Sequence, residues 1–181
     1  MLTRKQINRL KRKSLSDEEI FNALKGRTNI FLYGDILGAT DIDELFGDFD
    51  SAVILYEKEP KLGHWVALLR RGNRIEFFDP YGIFPDLEKS YLNRDYLVST
   101  GQNYNKLADL LYHSWNKYVV EYNNFRLQTM KDGVSTCGRH VIARIWNKKL
   151  SINQYYKLIN SFKKKFGLDA DDVVAILTRD V

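Results

Sequence analysis

The sequence has one cysteine and three prolines among its 181 residues, and it has no long apolar run. With Cys137 alone, an intramolecular disulfide and a zinc site built on several thiolates are both excluded. No apolar stretch approaches the roughly 18–20 residues of a membrane-spanning helix. The basic N-terminus also lacks the apolar segment of a secretory signal. These absences predict a protein that is not secreted, does not enter a membrane and works in a reducing compartment.

Positive charge is concentrated at the N-terminus. The chain has 28 Lys+Arg and 23 Asp+Glu, so its net charge is +5. Residues 1–13 alone carry +6, which leaves the remainder near neutral. This predicts a basic arm, 1–13, ahead of a single domain, 14–181. Such an arm attracts the phosphate backbone of nucleic acids, although a solvated terminal helix explains the charge equally well. The basic residues of the arm are Arg4, Lys5, Arg9, Lys11, Arg12 and Lys13.

Hydrophobic periodicity predicts helices at both ends of the chain and strands in the middle, which is typical of an α+β domain. Ser16 followed by Glu19 is a capping box that predicts the start of a helix. The predicted central sheet is mixed or antiparallel and has about five strands: Asn29–Tyr33, Ala52–Glu57, His64–Arg70, Arg74–Asp79 and Val119–Leu127. Helices are expected near 16–25, 41–46, 105–118, 136–146, 151–166 and 169–178, with a loop at 81–103.

The pair Gly72-Asn73 predicts a two-residue hairpin between two apolar strands. In that register Leu68 faces Phe77, and His64 projects from the same face as Asp79, one diagonal step away. A carboxylate bonded to one imidazole nitrogen fixes the tautomer and leaves the other nitrogen free to act as a base. Alternatively, Asp79 merely initiates the turn at Pro80.

The single cysteine lies where the pattern predicts the first turn of a helix. Free amides and the positive end of the helix dipole stabilise a thiolate there, so Cys137 is a candidate nucleophile. Gly138 is expected to let a substrate backbone approach. Gln128, at the predicted end of a strand, can donate to an oxyanion together with the Cys137 amide. Alternatively, Cys137 is an inert buried thiol and Gln128 is solvated.

The other two histidines have weaker claims to function. His140 follows Cys137 by three residues on the same helix side, but no carboxylate is obviously placed to orient it, so a packing role is expected. His113 is expected to be structural. Three scattered histidines without a spacing motif predict no metal site.

Four short motifs together resemble the adenain-type cysteine proteases: His64-Trp65, Asp79-Pro80-Tyr81-Gly82, Gln128 and Cys137-Gly138, in that order. This family comprises the adenovirus maturation protease and its relatives in large DNA viruses and virophages, and it is akin to the ubiquitin-like-specific proteases. The resemblance covers about residues 50–147. It implies a papain-like fold with the nucleophile at a helix N-terminus.

The resemblance also implies a role for each of these residues. His64 is the implied general base, Asp79 its orienting acid, Cys137 the nucleophile and Gln128 the oxyanion donor. Trp65 is expected to border a narrow substrate cleft. The adenovirus enzyme has Glu at the position of Asp79, whereas the ubiquitin-like-specific proteases have Asp.

The expected function is therefore a monomeric cysteine endopeptidase that cleaves viral capsid or core precursors at Gly-containing sites, inside the virion and the host cell. One alternative is an isopeptidase that removes ubiquitin-like modifiers by the same chemistry. Another is a non-catalytic nucleic-acid-binding module with an inert Cys137. The chemistry needs no cofactor. Because no second thiol is present, an activating peptide would bind noncovalently, and DNA is a second candidate activator, held by the basic arm.

Overall fold

A five-stranded mixed sheet forms the centre of the protein in the computed structural model, which describes residues 2–181. The order is β1-β2-β3-β4-β5, with parallel outer pairs and antiparallel inner pairs. The predicted α+β fold with about five strands is confirmed. The strands are β1 (Asn29–Leu32), β2 (Ser51–Glu59), β3 (Leu62–Arg71), β4 (Arg74–Phe78) and β5 (Val119–Tyr122).

Helices cover both faces of this sheet. Within residues 2–181 there are eight α-helices: α1 (Arg4–Arg12), α2 (Asp17–Ala23), α3 (Asp43–Phe46), α4 (Arg94–Ser99), α5 (Lys106–His113), α6 (Cys137–Trp146), α7 (Ile152–Phe166) and α8 (Ala170–Leu177). One apolar core lies between the sheet and α2, α6, α7 and α8, and a second lies between the sheet and α3 and α5. Because successive strand residues point to opposite faces, the continuous apolar runs of β2 and β3 supply both cores.

The hairpin between β3 and β4 has the predicted register. Arg71 pairs with Arg74 and Leu68 pairs with Phe77. Gly72 has a φ of +58°, a conformation that glycine adopts without steric cost. The register therefore places His64 and the residue after β4 on one face of the sheet.

A buried ion pair connects α6 to β4. Two nitrogens of the Arg144 guanidinium donate to the two carboxylate oxygens of Glu76, each at 2.7 Å, and neither side chain is exposed. A bidentate pair of this kind fixes orientation as well as distance. It holds the helix that begins at Cys137 against the strand that ends next to Asp79. The sequence analysis did not single out either partner.

The N-terminal basic segment is not a separate arm. Residues Arg4–Arg12 form α1, which packs on α8 through the buried Ile7. Arg4 and Lys11 form salt bridges with Asp172. The apolar position of Ile7 and these ion pairs hold α1 against the rest of the domain. Lys5, Arg9 and Arg12 are exposed, so binding to nucleic acid stays a prediction for them.

Two further predictions need correction. The predicted loop 81–103 contains a 3₁₀ helix, Leu87–Tyr91, as well as α4. The predicted strand 119–127 ends at Tyr122, because the side chain of Asn123 bonds to the backbone of Asp79 through both its oxygen and its nitrogen. The capping box of Ser16 and Glu19 is confirmed at the start of α2.

Candidate active site

The imidazole of His64 and the carboxylate of Asp79 form a hydrogen-bonded pair, as the hairpin register predicts. The distance from Nε2 of His64 to Oδ1 of Asp79 is 2.7 Å, and both side chains are buried. The carboxylate of Asp79 also accepts from the amide of Tyr81 at 2.7 Å. The Asp79 amide donates to Asn123 at 2.8 Å. These bonds fix the carboxylate and leave Nδ1 as the imidazole nitrogen that Asp79 does not occupy.

Tyr81 fixes the plane of the histidine ring. The rings of His64 and Tyr81 are stacked, with their centroids 4.3 Å apart and an interplanar angle of 9°. Tyr81 therefore holds His64 through ring stacking, while its backbone amide holds Asp79. The motif Asp79-Pro80-Tyr81 supplies both contacts from three consecutive residues.

The thiol of Cys137 lies next to the same imidazole. Cys137 is the first residue of α6, and its side chain is close enough to His64 to contribute to the raised pKa of the imidazole. Its Sγ is 4.0 Å from the carbonyl oxygen of Gly63. The structure therefore brings Cys137, His64 and Asp79 together.

A small cleft opens at this point. Its volume is about 180 Å³, and Cys137, His64 and Gln128 all line it. The remaining lining residues come from several segments of the chain: Ser14, Tyr56, Lys58, Leu62, Gly63, Tyr81, Glu88, Leu92, Val134 and Ser135. The reactive groups thus meet at a groove and not in a sealed core.

Gln128 lies in a loop beyond β5, and not at the end of a strand as the sequence analysis expected. Its backbone amide donates to the carbonyl oxygen of Pro80 at 2.9 Å, and its Nε2 donates to the Tyr81 hydroxyl at 3.3 Å. Its Oε1 is buried, and no hydrogen-bond partner for it is found among residues 2–181. The side-chain amide is therefore held at the cleft, where it can serve as a donor.

Trp65 and Gly138 do not line the cleft, and both expectations need correction. Trp65 is buried, and its Nε1 donates to the carbonyl oxygen of Leu15 at 3.0 Å. A Cβ on Gly138 would lie 3.2 Å from Leu15 and 3.3 Å from Ile20. The absence of a side chain at Gly138 lets α6 approach Leu15 and Ile20 closely, and Trp65 packs beside Gly138.

The surroundings of His64 favour its charged form. Burial alone lowers the pKa of a histidine, because it penalises the imidazolium. At His64 the carboxylates of Glu88 and Asp79, together with the neighbouring Cys137 side chain, outweigh burial and raise the pKa well above its usual value. An imidazolium beside the thiol is the electrostatic setting in which a thiolate is stabilised.

Glu88 is a site residue that the sequence analysis missed. It lies in the 3₁₀ helix Leu87–Tyr91, and its Oε2 is 3.5 Å from Nε2 of His64. Its sequence context is a charged segment within a predicted loop, which is typical of solvent exposure. No local signal places its carboxylate in the cleft.

His64, Asp79 and Glu88 form the group in the described part of the chain that is capable of holding a metal ion. Their donor atoms lie within 4.8 Å of one another. However, two ligands of one tetrahedral zinc ion lie about 3.3 Å apart, given the usual bond lengths. The separation of 2.7 Å between His64 and Asp79 is that of a hydrogen bond. The group therefore fits a cluster of hydrogen-bonded charges, and the expected lack of a metal site stays a prediction.

His140 has a carboxylate partner, contrary to expectation, although its packing role fits. Its Nε2 lies 3.1 Å from Oδ1 of Asp171, and both residues are fully buried. This pair lies behind Cys137 and does not line the cleft. The Nδ1 of His113, in α5, lies 2.8 Å from the carbonyl oxygen of Asp109.

Comparison with known proteins places the chain in a viral group. No protein-family model matches the sequence. It is 30% identical over 175 residues to "Uncharacterized protein V9" of Sputnik virophage, and the match covers 96% of this chain and 99% of the relative. The chain belongs to the family of this virophage protein.

Membership in this family agrees with the expectation of a viral protein, and the match extends over the candidate active site as well as the flanking helices. Among residues 2–181, no helix is long and apolar enough to cross a membrane.

Proposed function

We propose that the protein is a cysteine endopeptidase of the adenain type. The observation that carries this proposal is that Cys137, at a helix start, and His64, on a strand, line one cleft, while Asp79 at a strand end is hydrogen-bonded to the same imidazole. A buried thiol without function needs neither an oriented imidazole nor access to a groove. Gln128 beside them supplies a side-chain amide of the kind that stabilises an oxyanion.

The geometry supports acyl transfer through a thioester. Sγ of Cys137, as the thiolate, attacks the substrate carbonyl carbon, and the oxyanion accepts hydrogen bonds from Nε2 of Gln128 and the Cys137 amide. The His64 imidazolium donates its proton to the leaving amine as the C–N bond breaks. Water then gives a proton to His64 and adds its oxygen to the thioester carbonyl, and the C–S bond breaks, which releases the acid and restores the thiolate and the imidazolium. Asp79 keeps the imidazole oriented throughout.

The proposed substrates are capsid or core precursor proteins of a virus. A viral relative and a cleft of about 180 Å³, which admits small side chains near the reactive carbon, support this choice. Cleavage at Gly-containing sites follows from the resemblance. An isopeptidase acting on ubiquitin-like conjugates uses the same chemistry, so substrate tests must separate the two.

The test is cleavage of candidate virion precursors and, separately, of ubiquitin-like conjugates by the full chain. We expect cleavage of the precursors, and we expect Cys137→Ala and His64→Ala to lose turnover while keeping their circular dichroism spectra. His113→Ala, a histidine change far from the cleft, should retain activity. Cleavage of the conjugates alone would replace the precursor assignment with the isopeptidase. Undiminished cleavage by Cys137→Ala would refute the mechanism.

A further inference from the structure

The cleft contains a second carboxylate that the proposed mechanism does not use. Oε2 of Glu88 lies 3.5 Å from Nε2 of His64, the nitrogen that also contacts Asp79. This oxygen is buried, and the part of the chain that the structure describes offers it no hydrogen-bond partner. A buried carboxylate oxygen without a donor is costly, so its placement next to a charged imidazole calls for a physical reason.

The position of Glu88 is fixed by its neighbours in the 3₁₀ helix. Asp86 is buried and accepts hydrogen bonds from the hydroxyls of Tyr33 and Tyr56. Lys89 is buried as well, and its Nζ donates to the carbonyl oxygen of Tyr104 at 2.6 Å. Because residues on both sides of Glu88 are anchored in this way, its carboxylate is held against His64 and does not swing freely into solvent.

The charged and titratable groups that face Glu88 come from several elements. His64 from β3 is the cationic neighbour, and Asp79 at the end of β4 adds a negative charge. Burial raises the pKa values of the Tyr56 and Tyr81 hydroxyls, and the nearby charge of Glu88 adds to both shifts. Cys137 and Lys58 line the same cleft. His64 is thus the group whose protonated form the Glu88 carboxylate most directly stabilises.

We propose that Glu88 is a positioning residue that acts through His64, by holding the imidazole in its charged form together with Asp79. The inference deepens the proposed function, because an imidazolium beside Cys137 is what the thiolate requires. It assigns two carboxylates to one histidine, one that orients the ring at hydrogen-bond distance and one that adds charge from 3.5 Å.

The effect has a defined pH range. Burial, with a further contribution from Asp79, raises the pKa of Glu88 to about 7, although His64 opposes the shift. Below that pH Glu88 is mostly neutral and gives His64 no charge support. Above about pH 7 the carboxylate is ionised. Its influence on the imidazolium is therefore greatest at the higher pH at which His64 itself loses its proton.

The test measures the protonation of His64 directly, by NMR titration of the imidazole signals in the full chain. We expect Glu88→Gln, which keeps the size of the side chain, to lower the pKa of His64 toward the ordinary value of about 6.5. Glu88→Ala should lower it as well, and it serves if the Gln variant does not fold. Glu57→Gln is the matched control, since it removes another buried carboxylate that does not contact His64.

A lowered His64 pKa in the Glu88 variants, with the control unchanged, supports the inference. An unchanged His64 pKa overturns it, even if Glu88→Gln loses activity, because that result leaves Glu88 a merely structural role. The readout does not depend on peptide cleavage. Failure of the proposed function, in which no substrate is cut, is therefore distinguishable from failure of this assignment.

Discussion

Two histidine–aspartate pairs lie on either side of Cys137, and they differ in what surrounds them. In the first pair, His64 lines a cleft together with the Cys137 thiol and lies beside a second carboxylate, that of Glu88. His140 and Asp171 are fully enclosed. Oδ1 of Asp171 accepts from the Thr136 hydroxyl as well as from His140, and Oδ2 accepts from the Thr129 amide at 3.0 Å. The same two residue types therefore form a candidate reactive centre in one place and a structural cluster in the other. We call Asp171 and its three partners, His140, Thr136 and Thr129, the clamp.

The clamp has a direct connection to the site. Thr129 follows Gln128 and Thr136 precedes Cys137, so Asp171 from α8 holds both ends of the loop between the proposed oxyanion donor and the nucleophile. The comparison teaches that a histidine–carboxylate pair takes its role from its surroundings. A pair whose histidine lines a cleft beside a thiol can react, whereas an enclosed pair bonded to threonines stabilises the fold.

Replacing each histidine by alanine gives the largest expected contrast between the two pairs. His64→Ala should reduce turnover by about 10²–10⁴-fold, the usual contribution of a general base, in a protein that still folds. His140→Ala should leave the cleft residues in place but destabilise the fold, because it leaves Asp171 buried with fewer partners. Kinetics and urea unfolding of the two variants check this. Turnover that survives in His64→Ala and disappears in a folded His140→Ala would reverse the two roles.

Replacing each aspartate by asparagine sharpens the same comparison between the two pairs. Asp171→Asn should lower the free energy of unfolding by about 3 kcal/mol, because it breaks a buried charged network. Asp79→Asn should cost less stability, since the asparagine oxygen still accepts from the Tyr81 amide, but it should lower the pKa of His64 and reduce turnover. Urea denaturation of both variants and an NMR titration of His64 provide the measurement. Equal stability losses would remove the distinction.

The clamp should also respond to acid. Burial tends to raise the pKa of Asp171, but hydrogen bonds from His140, Thr136 and Thr129 outweigh it and lower the pKa to about 2. A depressed carboxyl pKa stabilises the fold above the unfolded value of about 3.9, and this stability is lost as the pH falls toward 2. The stability difference between wild type and Asp171→Asn should therefore shrink between about pH 4 and pH 2. A difference that stays constant over this range contradicts the assignment.

The smallest expected effect comes from a single bond of the clamp. Thr136→Val keeps the shape of the side chain and removes one donor to Asp171, whose other two donors remain. We expect a loss of about 1 kcal/mol in the unfolding free energy and a modest loss of turnover. A loss as large as that of Asp171→Asn would show that the three hydrogen bonds do not act separately.

Short-range patterns predict one of the two regions well. The pairing of β3 with β4 follows from Gly72 and from alternation along the strands, so the contact between His64 and Asp79 is predictable from adjacent segments. The helix start at Cys137 follows from local periodicity in the same way. Both depend on residues close together in sequence.

The rest depends on packing between distant elements. Asp171 reaches His140 from α8, 31 positions along the chain, and nothing near His140 indicates it. The Glu88 carboxylate lies beside His64 because Asp86 and Lys89 are anchored by residues of other segments. Adjacency to His64 and Cys137 predicts that Trp65 and Gly138 lie at the cleft, but Leu15 contacts Trp65, and Leu15 and Ile20 pack against Gly138. Adjacency in sequence does not determine which side of a strand or helix faces a groove.

The central claim is that Cys137 and His64 act as a thiolate–imidazolium pair. Its most direct test is alkylation of Cys137 by iodoacetamide across a pH series, in wild type and in His64→Ala. The account predicts that wild type is alkylated at mildly acidic pH, because the imidazolium stabilises the thiolate, and that His64→Ala loses this reaction. Wild-type labelling that begins only as the pH approaches about 8.5, where an ordinary thiol ionises, would contradict it.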